Sequence, residues 1–403
     1  MSLLPYIASV SSQRNFSSYV DNYQTPEYAQ LLQAVKDGRL IVTTDLGALG
    51  EGDSPVVFGW NYNVETTTAL YNQGDPKFFK YTVHLEWEDR WLENQFTREN
   101  LMQESDAPYL FVKGMTIPTY LSESGDLNTA VSNSYGTLLQ LNDDVARADS
   151  ITPILLDVKY SSAVTEFFNI LLPNGYRFVF VDANGVDNTI KNQFQYVMVD
   201  DPSKIPAYAG KTIFLLNNSS QSPYHEETTI NNQSVITLRV PYLTLTNILF
   251  YQGDNGDLFA WRDFQNTVNS RLNSNEILVL NAISEELTPY IQNLKYEDAS
   301  YESSQNSSSI VTQPGFTLVK DSYFPYWSSE QGTILSSTQG FMVVYSNNSD
   351  ILLKFREPFS YYLAAFITLA SLLTVIIFLL ALWKLHRRKI AHAGMGSPNI
   401  NKQ

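Results

Sequence analysis

The sequence predicts an α/β and β multidomain ectodomain, a Rossmann-like α/β unit followed by a small juxtamembrane β module, held by one C-terminal transmembrane helix. Three observations carry this. Residues 363–383 run LAAFITLASLLTVIIFLLALW without a charge, and Lys384, Arg387, Arg388 and Lys389 follow at once. Strand-like and helix-like segments alternate from residue 153 onward. Beyond residue 312, short runs alternate or stay apolar between turn signals.

The terminal run has the length that a hydrocarbon core of about 30 Å demands, and lipid obliges such a segment to satisfy its backbone as a helix. Tyr361, Tyr362 and Trp383 mark its ends, where half-wet aromatic rings suit the headgroup region. The tail, 384–403, carries five cations and no acid, so the positive-inside bias puts the tail in the cytoplasm and the rest of the chain outside, at a cell membrane that the chain crosses once. The N-terminal stretch MSLLPYIASVSSQRN lacks a basic n-region and is broken by Pro5. Residues 1–24 therefore read as the stub of a preceding membrane segment, and the expected context is a polytopic partner or upstream region.

With the tail cations set aside, 21 of the 26 basic residues face 41 acids, a net charge of −20. Such a surface repels nucleic acid. The chain has no cysteine, which excludes disulfides and thiolate metal sites, and no cofactor motif stands out. Asn-x-Ser/Thr sequons occur at Asn15, Asn217, Asn218, Asn232, Asn306 and Asn347, all before the apolar run, as expected of a glycoprotein exposed at the cell surface.

Residues 25–150 read as a mixed α+β, aromatic-rich region. Thr25-Pro26-Glu27 opens a helix with a cap, a first-turn proline and an acid at the positive end of the dipole. Tyr28, Leu31, Leu32 and Val35 follow on one face, and Gly38 ends it. Residues 39–44 form a strand-like run, and a Gly-rich loop covers 47–59.

The α/β unit spans 151–296. Residues 153–158 (PILLDV) read as a buried strand, and Ser162 then caps a helix bearing Val164, Phe167, Phe168, Leu171 and Leu172. Residues 177–181, 196–199 and 212–216 are further strands, and 275–280 with 284–290 add a strand and a helix. Residues 297–312 are polar and Ser-rich and read as a polar loop. The β module covers 313–359, the membrane helix 360–383.

The stretch 321–327 (DSYFPYW), then 340–345 (GFMVVY), a last strand and the terminal helix resemble the end of archaeal and bacterial membrane proteins of the 6-pyruvoyl-tetrahydropterin synthase-related and YfhO-type group. The residues that carry the likeness are Tyr323, Phe324, Pro325, Trp327, Gly340, Phe341 and Met342. The resemblance implies an outer domain attached to a glycosyltransferase-like polytopic region that uses polyprenyl-linked sugars. The helices that hold the catalytic carboxylate there have no counterpart in this chain, so no catalytic residue carries over.

Trp60, Tyr62, Tyr71, Trp87 and Trp91 form a candidate glycan-binding cluster, because aromatic faces stack on sugar rings while neighbouring Asn and Glu bond hydroxyls. His225-Glu226-Glu227 lacks the second histidine of a zinc helix. Asp143-Asp144, Asp200-Asp201 and Glu86/Glu88/Asp89 are acid pairs of the kind glycoside hydrolysis needs, although chance supplies such pairs in an acidic chain. Asp254-Asn-Gly-Asp257 is foremost a turn. The expected role is that of an outer domain that binds or positions a glycan or lipid-linked sugar, not catalytic by itself; the alternative is a stand-alone cell-surface glycoprotein for adhesion or envelope structure.

Overall fold

The computed structural model describes residues 25–35, 38–43, 95–114, 116–159, 161–166, 168, 176–218, 225–230, 232–240, 284–285, 287–304, 306–356 and 359–394. The helix Pro26–Leu32 starts as its sequence demands, with the Thr25 hydroxyl accepting from Tyr28 N at 3.3 Å. It packs Tyr28, Leu31 and Leu32 on a four-stranded sheet. That sheet holds β1 (Leu40–Thr43), β2 (Tyr109–Lys113), β3 (Leu127–Asn133) and β4 (Gly136–Leu141) in the order β1-β2-β4-β3. Strand period two splits its residues: Leu40, Tyr109, Phe111 and Leu138 meet that helix, whereas Ile41, Leu110, Val112 and Leu139 belong with Leu101 and Met102 of the helix Gln95–Glu104.

After β5 (Ala148–Ile151) the chain enters a six-stranded sheet of β6 (Ile154–Asp157), β7 (Phe180–Asp182), β8 (Tyr196–Val199), β9 (Thr212–Asn218), β10 (His225–Ile230) and β11 (Gln233–Val240). Its order is β10-β11-β9-β8-β6-β7. Five strands are parallel and β10 pairs antiparallel at one edge. Both faces are covered, which explains the near-continuous apolar runs. Leu155, Val197, Ile213, Leu215 and Val235 lie on one side with Ile190, Ile205 and Tyr208. Ile154, Leu156, Met198, Phe214 and Ile236 lie on the other with Val164, Phe168, Leu287 and Ile291.

The remaining strands are β12 (Tyr296–Ser304), β13 (Ser307–Val311), β14 (Gly315–Ser322), β15 (Trp327–Ser329), β16 (Gly332–Ser336), β17 (Phe341–Ser346) and β18 (Asp350–Phe355). With β5 they form one eight-stranded sheet, ordered β15-β18-β13-β12-β5-β14-β17-β16. Two expectations change here. The polar segment 297–312 is a hairpin, because Ala299, Tyr301, Ser308 and Ile310 supply an inward face while the polar residues between them face water. The β module is not confined to 313–359 either, since β5 lies at its centre between β12 and β14. The six-stranded unit is thus an insertion between two neighbouring strands, and its neck is closed where Thr152 N donates to Lys295 O at 3.0 Å.

From Phe355 the chain forms a separate compact unit. Its helix, Phe359–Gly394, includes a 23-residue stretch, Tyr362–Lys384, with mean hydropathy 2.7 and none of it buried. Thr368, Ser371 and Thr374 donate to the carbonyls of Ala364, Ile367 and Ala370 at 2.8–2.9 Å, so these three hydroxyls are satisfied within the helix.

Candidate ligand cleft

A cleft of about 290 Å³ opens at the neck of the insertion. Ser150, Thr152 and Lys295 come from the neck, Gln193 and Gln195 from the approach to β8, and Phe316, Tyr345 and Asn347 from β14, β17 and the turn after β17. Its volume falls just short of the small-ligand range, about 300–1,000 Å³. Phe316 and Tyr345 give it an aromatic wall, and the buried Phe194 ring packs on Phe316. The rings of Phe194 and Phe316 are 4.5 Å apart, and those of Phe316 and Tyr345 5.0 Å.

Polar groups ring that wall. The Tyr345 hydroxyl donates to Asn347 Oδ1 at 3.0 Å, and Gln195 is exposed. Lys295 pairs with Glu297 at 3.0 Å and bonds Gln313, so its ammonium is already neutralised. Neutral amides, hydroxyls and an aromatic wall suit a polyhydroxylated ligand with an apolar ring face better than an anion.

A second polar group lies at the carboxyl ends of the parallel strands, next to the point where the strand order reverses between β6 and β8. Lys204 Nζ reaches Asp200 at 2.8 Å, Asp157 Oδ1 at 3.2 Å and Asp157 O at 2.8 Å. Burial works against its ammonium, and the hydrogen bonds it donates to Asp200 and Asp157 outweigh burial and hold Lys204 above its usual value. Burial, then the hydrogen bond to Asp157 at 2.8 Å, pushes the Tyr208 hydroxyl up. The three ammonium protons all have acceptors here. The group is a latch that fixes the 3₁₀ segment Pro202–Tyr208 over the strand ends.

Between the sheets lies a buried ionic network. Arg39 donates to Ser105 O at 3.0 Å and to Asp321 at 3.0 Å, and it also bonds Lys320 O. Arg147 bridges Asp321 at 2.6 Å and Asp106 at 2.7 Å, and Tyr301 donates to Asp321 at 2.7 Å. Burial tends to raise the Asp321 carboxyl, but Arg147, Arg39 and Tyr301 more than offset it and hold it below the usual carboxylate value. Lys320 pairs with Asp149 at 2.8 Å, both fully buried; burial pushes the Asp149 carboxyl up and the Lys320 ammonium down. The Arg177 guanidinium lies 3.4 Å over the Tyr296 ring beside this pair.

The sequence candidates are placed as follows. Trp60, Tyr62, Tyr71, Trp87, Trp91 and Asn15 lie outside the described residues, as do Glu86, Glu88, Asp89 and residues 254–257. Asn217 and Asn218 end β9. Asn232, Asn306 and Asn347 are exposed at the turns β10–β11, β12–β13 and β17–β18. Asp143 and Asp144 sit on an exposed bend. Asp200 and Asp201 diverge: the first takes Lys204 and Lys159 N, the second caps Ser203 N at 2.8 Å. Tyr323, Phe324 and Trp327 are half-buried, Pro325 is exposed, and Gly340, Phe341 and Met342 are buried. Sequence reasoning missed Gln193, Gln195, Phe316 and Tyr345 as a group, because three separate segments bring them together; only Asn347 carried a local signal.

No protein-family profile, curated protein or solved structure matches the chain.

Proposed function

We propose that this chain is the outer part of a glycosyltransferase-like membrane assembly, that it binds or positions a glycan or lipid-linked sugar in the neck cleft, and that catalysis belongs to a polytopic partner or to a region preceding this one. The single observation that carries the reading is the cleft itself, an aromatic wall of Phe316 and Tyr345 ringed by the amides of Gln193, Gln195 and Asn347. The apolar helix Phe359–Gly394, read as the membrane tether with its basic end in the cytoplasm, and the likeness at Tyr323–Trp327 to the YfhO-type group support it. The parallel strands, ordered second-first-third-fourth-fifth along the chain, suit a doubly wound, Rossmann-like unit.

Binding of the full chain to a panel of neutral oligosaccharides, with and without a polyprenyl-phosphate carrier, tests the reading. Tyr345→Ala removes a stacking surface worth about 0.5–1.5 kcal/mol beyond its area, a loss of about 2- to 12-fold in affinity. Gln195→Ala weakens binding again. Affinity unchanged in both variants rejects the cleft as the sugar site.

A further inference from the structure

The cleft carries a modification signal on its own rim. Asn347-Asn348-Ser349 is an Asn-x-Ser sequon in the exposed turn between β17 and β18, and Asn347 is at the same time a cleft-lining residue. Tyr345 and Asn347 both line the cleft, and the 3.0 Å bond from the Tyr345 hydroxyl to Asn347 Oδ1 holds the two side chains together there. Among the described residues no hydrogen bond engages Asn347 Nδ2. Asn232 and Asn306 are also exposed sequon asparagines at hairpin turns, but neither lines the cleft.

We propose that Asn347 is N-glycosylated and that its glycan caps the cleft, so that tethered sugar and incoming ligand compete for the wall of Tyr345 and Phe316. The inference rests on the outer location and the sugar-binding cleft proposed above and names their regulation. The modification is a substitution at an anomeric carbon. Asn347 Nδ2 loses a proton and bonds that carbon, the carbon–oxygen bond to a lipid diphosphate breaks, and the lipid diphosphate leaves; the co-reactant is a polyprenyl-diphosphate oligosaccharide delivered by a host transferase. Once attached, the first sugars are confined within one side-chain length of the cleft. A short tether of this kind presents its end at an effective concentration in the millimolar range, which matches the affinity of weak protein–sugar contacts and leaves the mouth open for about half the time or less.

The absence of cysteine makes the test direct. Gln195→Cys places a unique thiol in the cleft, and Asp143→Cys places a control thiol on an exposed bend that does not line it. The full chain is produced in a host that glycosylates exported sequons, peptide mapping reads Asn347 occupancy, and N-ethylmaleimide labelling is timed with the sequon intact and in a Ser349→Ala background. Ser349→Ala removes the sequon and keeps Asn347. The expected result is a glycan on Asn347 and labelling of Gln195→Cys about twofold or more slower when the sequon is intact, with Asp143→Cys unaffected. An unmodified Asn347, or equal labelling rates in the two backgrounds, overturns the proposal. No free sugar enters this assay, so a chain that fails to bind oligosaccharide probes refutes the preceding reading separately from this one.

Discussion

Asp321→Asn is the sharpest test of how the sheets are joined. The Asp321 carboxylate accepts from Arg39, Arg147 and Tyr301, and Arg39 is only 2% exposed. The amide keeps the shape but removes the charge that neutralises two guanidinium groups. Breaking a buried pair in this way costs about 3–5 kcal/mol, and the lower end applies because Asp321 and Arg147 keep 17% and 23% exposure. With an unfolding entropy of about 2.1 cal/mol/K per residue over roughly 350 residues, about 3 kcal/mol lowers Tm by roughly 4 °C.

Acidification gives an independent readout. A carboxyl held below its unfolded value contributes stability that is present above that value, about 3.9, and is lost as pH falls through the lowered folded value. The gap in Tm between wild type and Asp321→Asn should therefore be full at neutral pH and close as pH drops below about 4. Scanning calorimetry across that range measures both quantities. A gap under about 1 °C at neutral pH, or a gap that persists at the acid end, refutes the keystone role assigned to Asp321.

Three further outcomes are expected. Gly136→Ala puts a Cβ against Val112 O and the Phe111 ring, so it should destabilise the four-stranded sheet by about 1–3 kcal/mol in chemical denaturation. Leu155→Ala empties a fully buried site in the parallel sheet and should cost about 2–5 kcal/mol by the same measurement. Ending the chain at Arg356 removes the apolar helix, and fractionation should find the remainder released from membranes; retention there would count against the tether.

The sequence declared its strands where burial is two-sided and hid them where it is not. Residues 154–157, 196–199 and 212–216 read correctly because both faces of the parallel sheet are covered and every position but the terminal Asp157 and Thr212 is apolar. β12 and β13 looked like a loop because one face meets water and the other is held by small groups such as Ala299 and Ser308. β5 was harder still. Its sequence ADSI carries Asp149 into full burial, and the partner that makes this tolerable, Lys320, stands far along the chain. The cleft shares this limit, since Gln195, Phe316 and Tyr345 have ordinary local contexts and acquire meaning only when the insertion folds back on its host sheet.

That fold-back also decides whether the cleft is a hinge or a fixed groove. A two-strand neck alone would let the insertion swing, yet the seam is fastened well beyond Thr152 and Lys295. Val181 bridges Ser337, Thr338 N donates to Phe180 O at 2.8 Å, Gln339 donates to Phe178 O at 2.9 Å, and Thr165 donates to Thr338 at 2.6 Å. Arg177 stacks on Tyr296, and Phe194 packs on Phe316, across the same boundary. Opening the seam would exchange all of these bonds for bonds to water at once, a net cost of about 0.5–1.5 kcal/mol for each, and would expose the Phe194–Phe316 contact as well. The groove is therefore set before any ligand arrives, and the ordering cost of binding there falls on the ligand rather than on the protein.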